Sequence, residues 1–346
     1  MERYIAVDSG KFATKVAEYN INTDRIRKFA FRTRIGEGDF RDDALERNTC
    51  IVELDGQVYK VGNGARGQDA ELKTDKSSIE HKISTLTAIA RLCSDNEVDE
   101  VNVAIGLPAR EWASVPKRED FKEYILPEGE VQIMIKLNNE MPPVLRRFRI
   151  KRRYCFPESL GALFCDDSPK VNVNSHVGVI DLGNLNLNAT VWQGTELQQD
   201  VSITDELGGS ILVQSLSQEL SMKYGRCDER YVSQILLQPP ENRYLRPSNH
   251  NPQIEAESKE VIKRHLLEHT KKIKRCCDGR KWSLDYMELI AIGGTCRILE
   301  NEIREVFGQN IHILRNPSYC NVFGYLRMMC SKIPEIGKVI PLEEAA

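Results

Sequence analysis

The sequence predicts an α/β protein made of two related domains. Three observations carry this. Its 346 residues exceed what one ordinary core holds. Strand-like segments alternate with helical ones along both halves. One pattern, a hydrophobic strand ending in Asp and then a tight glycine turn, occurs in each half. The first copy is Tyr4-Ile5-Ala6-Val7-Asp8-Ser9-Gly10-Lys11, and the second is Val177-Gly178-Val179-Ile180-Asp181-Leu182-Gly183-Asn184.

In the first half, residues 4–7, 14–19 and 26–33 read as three strands of a meander framing the first acidic turn. Residues 48–54 and 57–61 form a hairpin across Asp55-Gly56, a strong two-residue turn signal. Residues 83–92 are an amphipathic helix, and 101–105 are a strand ended by Gly106-Leu107-Pro108. Strands are expected over 131–137 and 144–154, broken by Met141-Pro142-Pro143. Pro157-Glu158-Ser159 is expected to open an apolar helix over 160–164. The polar, turn-rich residues 166–175 mark the main boundary.

The second half repeats the meander with 177–180, 189–193 and 197–203. Gly208-Gly209 precedes a helix over 210–224, and the Pro- and Asn-rich residues 237–252 are irregular. A long charged helix follows at 254–277, then a strand at 287–292 ending in Gly293-Gly294. A helix at 298–307, a short strand at 311–314 and a closing helix at 318–329 complete the chain.

Composition narrows the function classes. Hydrophobic residues make up 41% and charged residues 29%, as in soluble globular proteins. The net charge of -3 gives no global field toward nucleic acid or an anionic membrane. No run approaches the roughly 18 apolar residues of a membrane span, so no direct membrane contact is expected. The first residues enter a strand with no signal-peptide pattern, which fits a cytoplasmic protein. Ten cysteines contain no C-x-x-C pair and read as buried reduced thiols, not as a disulfide or metal framework.

The repeated turn has a chemical reading. Glycine and small residues let backbone N–H groups approach phosphate oxygens, while the strand-end acid can hold Mg2+ through water. Two such turns suggest two halves facing one phosphate chain and its metal ion.

Five segments stand in a fixed order: the first acidic turn, Pro157-Glu158-Ser159-Leu160-Gly161, the second acidic turn, Ile290-Ala291-Ile292-Gly293-Gly294-Thr295, and residues 317–324. Together they resemble the ATPase core of the actin superfamily, with its phosphate 1, connect 1, phosphate 2, adenosine and connect 2 motifs. Gly106-Leu107-Pro108, Phe156-Pro157-Glu158-Ser159, Asp181-Leu182-Gly183 and residues 316–326 are most similar to the bacterial plasmid-segregation actins of the ParM type. The resemblance implies an actin-like (ribonuclease H-like) α/β fold. Two related domains would each hold a five-stranded mixed sheet with helices, and a nucleotide cleft would lie between them. Domain I would span 1–165 plus 321–346, with a small subdomain at about 34–84. Domain II would span 170–320, with a subdomain at about 211–284.

The same resemblance assigns roles. Asp8 and Asp181 would flank Mg2+, through water, and serve catalysis with Glu158, which would position the attacking water. Ser9, Gly10, Lys11 and Lys15 would line the first phosphate site. Gly183, Asn184 and Leu185 would form the second. Gly293, Gly294 and Thr295 would admit the adenosine of ATP, and the two-glycine motif leaves GTP open. The implied activity is Mg-dependent ATP hydrolysis coupled to polymerisation. Its implied partners are further copies of the chain and an adaptor protein bound to centromere-like plasmid DNA, within a bacterial cytoskeleton. A sugar-type kinase on the same core and a non-hydrolysing actin-like scaffold are the alternatives. Two departures stand out. Leu185 is unusual in a phosphate loop, and Phe323 stands where the ParM type has Asn.

Three further motifs have plainer readings. His265-Leu266-Leu267-Glu268-His269 matches H-x-x-E-H, but sits in a charged helix and reads as a solvated face. The basic run Arg146–Arg153 reads as a solvated strand face or filament contact, with a nucleic-acid or adaptor patch as the alternative. Gly62–Gly67 lacks a strand-to-helix context and reads as a loop.

Overall fold

The first unit is a single β-rich sheet with helices packed on it. A computed structural model describes residues 1–69, 76–165, 167–169, 174–248 and 251–336. The chain divides into two compact units, Met1–Asp166 with Tyr319–Ala346, and Asp167–Ser318.

Strands β1 (Glu2–Ser9), β2 (Ala13–Asn20) and β3 (Arg25–Arg32) form the first meander. β4 (Arg34–Glu37) follows, then the hairpin β5 (Thr49–Leu54) and β6 (Gln57–Gly62). Asp55 and Gly56 both take positive φ, as that hairpin turn requires. Next come β7 (Gly67–Asp69), α1 (Ile79–Ala90), β8 (Val98–Leu107), α2 (Ala109–Trp112) and α3 (Val115–Ile125). The unit continues with β9 (Glu130–Lys136) and β10 (Val144–Pro157).

These strands make one sheet of ten in the order β3-β2-β1-β8-β10-β9-β5-β6-β4-β7. β1, β8 and β10 run parallel, and the meander and hairpin strands are antiparallel, so the sheet is mixed. The expected count of five corresponds only to β3-β2-β1-β8-β10. The sheet continues because β9 pairs with both β10 and β5. Alternating inward residues such as Ile5, Val7, Val103 and Ile105 pack against Ile83, Leu86 and Ile89 of α1.

The second unit holds β11 (His176–Leu182), β12 (Leu187–Gln193), β13 (Glu196–Leu197) and β14 (Ile203–Asp205). Then come α4 (Gly209–Tyr224), α5 (Glu229–Leu236), α6 (Pro252–Gly279), β15 (Glu288–Ile292), α7 (Glu300–Phe307) and β16 (His312–Ile313). Its six-stranded sheet runs β13-β12-β11-β15-β16, with β14 also on β12, one more strand than expected. The strand expected over 197–203 is split by a 3-10 turn at Gln199–Val201. Ser202 closes that turn by donating its hydroxyl to the Gln198 carbonyl. α8 (Cys320–Ser331) returns to the first unit and packs on β1 and β8.

One other expectation needs correction. Pro157 does not start a helix; it is the last residue of β10, paired with Leu107. The Glu158 N–H then donates to the Leu107 carbonyl at 2.8 Å, which carries the pairing one residue further. Ser159 turns the chain at φ 71°, and only a 3-10 helix, Leu160–Phe164, follows. Helices α3 and α5 were not anticipated. Both carried readable starts: Ser114 with Pro116 in the first turn, and Asp228 accepting from the Tyr231 N–H.

Candidate functional site

β1 delivers Asp8 to the first turn as a buried carboxylate, 5% exposed. Lys15 leaves the turn on β2, directly opposite Asp8, and its Nζ lies 3.9 Å from Asp8 Oδ2. Glu158, 8% exposed, projects from the end of β10. A residue the sequence did not point to joins the two acids. Lys76 is buried, with Nζ 3.7 Å from Asp8 Oδ1 and ion-paired to Glu158. It also donates to the Gly106 carbonyl at 3.4 Å. Burial pulls the pKa of Lys76 down, but the charges of Glu158 and Asp8 outweigh it and the net shift is upward. Asp8, Lys15, Lys76 and Glu158 are thus one charged cluster. No motif marks Lys76, because a lone lysine ahead of a helix looks like any solvated one.

Glu158 is held from behind. The Ser159 N–H donates to Asn321 Oδ1 at 3.0 Å, which ties the segment after β10 to α8. Phe323, the departure noted above, is buried and stacks on Tyr319 with ring centroids 5.7 Å apart.

Ser9 and Gly10 are engaged within the fold. Ser9 Oγ meets Thr14 Oγ1 at 3.2 Å and His81 Nδ1 at 3.1 Å. The Gly10 N–H is turned inward to the Asp8 and Ala13 carbonyls. Lys11 is half-exposed.

The second turn has a different construction. Asp181, 9% exposed, is the last residue but one of β11, paired with Asn188 on one side and Ile292 on the other. The carbonyls of Gly183, Asn184 and Leu185 point to the start of α4. Gly209 N–H donates to Gly183 O at 3.0 Å, Ser210 N–H to Asn184 O at 2.6 Å, and Gly208 N–H to Leu185 O at 3.2 Å. Thr295 Oγ1 adds a second donor to Gly183 O at 2.8 Å. In a trans peptide the N–H points opposite to the C=O. The N–H groups of Asn184, Leu185 and Asn186 therefore face away from α4 in sequence, and none has a hydrogen-bond partner among the described residues. Successive outward N–H groups make an anion-binding concavity. Leu185 fits this loop because only its backbone is used. Gly208 is required by the same contact, since a Cβ there would overlap the Leu185 and Asn184 carbonyl groups.

Gly293 sits at φ 95°, and a Cβ there would overlap the Leu182 carbonyl and crowd the Asp181 carboxylate. The fold itself thus demands this glycine. Gly294 has only Ser318 Oγ nearby, at 3.7 Å.

The remaining motifs resolve into structure. His265 bonds Ser215 Oγ at 2.9 Å and Glu219 Oε2 at 2.8 Å, Glu268 pairs outward with Lys271, and His269 is buried. No group of three His, Cys, Asp or Glu residues able to hold a metal occurs among the described residues. In the basic run, Arg146 pairs with Asp95, Arg149 with Glu100 and Glu130, Lys151 with Glu2, Arg152 with Glu335, and Arg153 with Glu128. Arg147 donates to the Asn96 carbonyl. The run is a neutralised strand face. Gly62–Gly67 joins β6 to β7, with the Gly64 N–H held by Thr49 Oγ1. All ten cysteines are unpaired, with only Cys155 and Cys276 partly exposed. No helix among the described residues is long and apolar enough to cross a membrane.

Comparison with known proteins agrees with this architecture. Residues 6–161 match the family model for the actin-like proteins' N-terminal domain. Over the whole chain, the structure is similar to an Alp12 filament structure at TM-score 0.71 and 23% identity, covering 96% of this chain and 99% of that one. It is similar to a 15-stranded ParM filament from Clostridium botulinum at TM-score 0.69 and 18% identity, covering 95% and 99%. The archaeal actin homologue Ta0583 in complex with ADP matches at TM-score 0.68 and 15% identity, covering 93% and 97%. No curated protein matches in sequence. The fold is actin-like, with ParM and other actin homologues as structural neighbours.

Proposed function

We propose, with the actin-like fold as premise, that this chain is a nucleotide-driven, filament-forming ATPase that segregates plasmid DNA through an adaptor protein in a bacterial cytoplasm. The observation that carries the reading is the construction of the second turn. Three consecutive N–H groups are aimed outward by a helix that holds their carbonyls, next to a buried strand-end Asp. That arrangement is suited to a phosphate chain. Neighbours described as filaments support self-association, and one described as an ADP complex supports a nucleotide ligand.

Each turn offers a buried carboxylate, and Mg2+ in nucleotide sites is bound by one or two carboxylates with phosphate and water completing the shell. Asp8 and Asp181 would hold it, and it would neutralise charge on the phosphate oxygens. Glu158 accepts a hydrogen bond from the attacking water and so orients it, while Lys76 holds the carboxylate in place. Lys15 and the backbone N–H groups of both turns supply the positive ends that the phosphates need. ATP is the expected nucleotide, with GTP the alternative.

Light scattering tests the reading. Micromolar protein should scatter sharply on addition of ATP and Mg2+, with phosphate release following; a flat trace refutes it. Glu158→Ala should leave the scattering rise intact and slow phosphate release by about 10²–10⁴-fold. An unchanged release rate would remove Glu158 from the reaction.

A further inference from the structure

Behind the first turn lies a chain of buried hydroxyls that the proposed reaction does not use. Thr33 Oγ1 donates to the Gly10 carbonyl at 2.6 Å. Thr14 Oγ1 lies 2.9 Å from Thr33 Oγ1, and Ser9 Oγ lies 3.2 Å from Thr14 Oγ1. His81 Nδ1 lies 3.1 Å from Ser9 Oγ. Thr14, Thr33 and His81 are essentially inaccessible to water, and Ser9 nearly so.

Counting protons fixes the direction of this chain. A carbonyl can only accept, so the Thr33 proton is committed to Gly10. Thr14 must then donate to Thr33, and Ser9 to Thr14. No hydroxyl proton remains for the last contact, so His81 Nδ1 must carry it. Burial, helped by the Lys76 charge and opposed by a backbone hydrogen bond with Ser9, lowers the His81 pKa to about 3, so the ring is neutral. His81 Nε2 therefore bears a lone pair. It is buried with no hydrogen-bond partner among the described residues, and the ring lines a cavity of about 10 Å³, room for one water, with Ser9, Thr85 and Gly106.

The far end of the chain acts on the turn. Holding the Gly10 carbonyl inward forces the Lys11 N–H of the same peptide outward. We infer that His81 is a positioning residue: its Nδ1–H anchors a one-way chain through Ser9, Thr14 and Thr33 that aims the Lys11 N–H at a nucleotide phosphate. Ser9 accepts from His81 and commits its one hydroxyl proton to Thr14, so it has none to give a phosphate. It serves the turn as a link, and the backbone makes the phosphate contact.

The inference rests on the nucleotide reading above, and its test separates the two. The first readout needs no nucleotide. Imidazole carbon and nitrogen chemical shifts of His81 in the intact protein should report the Nδ1–H tautomer. In Thr33→Val, which frees the Thr14 proton to turn toward Ser9, the signal should move toward the Nε2–H tautomer, three groups away. An Nε2–H tautomer in the wild type, or no change in Thr33→Val, overturns the chain. The second readout is Mg-ATP affinity by titration calorimetry. His81→Leu should weaken binding about tenfold, and His81→Asn, which retains an N–H near the Nδ1 position, should restore most of it. Thr33→Val should match His81→Leu, so the result does not depend on one variant folding well. Normal affinity in both His81→Leu and Thr33→Val overturns the positioning role while leaving the nucleotide reading intact. Absence of binding by the wild type removes the nucleotide reading, and with it the positioning role, and leaves the tautomer result standing.

Discussion

Two buried histidines give the molecule an acid sensitivity that can be stated with its sign. Burial lowers His81 to about 3 and His269 to about 4. The unfolded chain protonates both near the ordinary value of about 6.5. Between these limits the unfolded state binds more protons, so stability is complete above about pH 6.5 and falls as pH drops. Each histidine contributes a slope of up to about 1.4 kcal/mol per pH unit. Urea unfolding at pH 7 and pH 5 should show the loss, and His81→Asn combined with His269→Gln should flatten it. A variant as acid-sensitive as the wild type would refute the assignment. At this scale the sequence was half legible. The strand-end places of Asp8 and Asp181 were readable from the apolar run ahead of each turn, whereas Glu158 was singled out by the resemblance and expected at a helix start. Lys76 and His81 were not legible. His81 meets Ser9 from 72 positions away, a proximity made by tertiary packing that leaves no local pattern.

At the scale of elements, the N-terminus of α4 defines the second turn. Gly208→Ala would push a methyl group into the Leu185 and Asn184 carbonyls and lift the helix off the loop. We expect a loss of about 2–4 kcal/mol in urea unfolding and, under the nucleotide reading, weaker Mg-ATP binding. A variant with wild-type stability would show that the helix start does not set the loop. The pair Gly208-Gly209 was visible in the sequence as a helix boundary, but its contact with residues 183–185 was not. Strand positions were legible from alternation and from Asp55-Gly56. The 3-10 break at Gln199–Val201 was hidden because the residue pattern alone does not show that the Ser202 hydroxyl turns back to the Gln198 carbonyl. The extension of the first sheet to ten strands was equally hidden, since pairing between β5 and β9 joins segments about 80 residues apart that share no turn.

For the whole molecule, charge bears on whether it can bind DNA directly. The net charge is -3, and the one dense basic run is neutralised by neighbouring carboxylates. The purified protein should pass through a DNA column at about 150 mM salt, where weak exposed pairs are screened. Retention there would argue for a direct nucleic-acid surface over an adaptor. The two-part organisation followed from length and the repeated turn, whereas the closing of the first unit by a late segment came only with the resemblance. That closure has a consequence for biosynthesis. α8, buried along nearly its whole length against β1 and β8, emerges from the ribosome after the entire second unit. The inserted unit can mature while translation is still under way. The sheet that β1 opens must wait, uncovered on the face that α8 takes, until the whole inserted unit has been made.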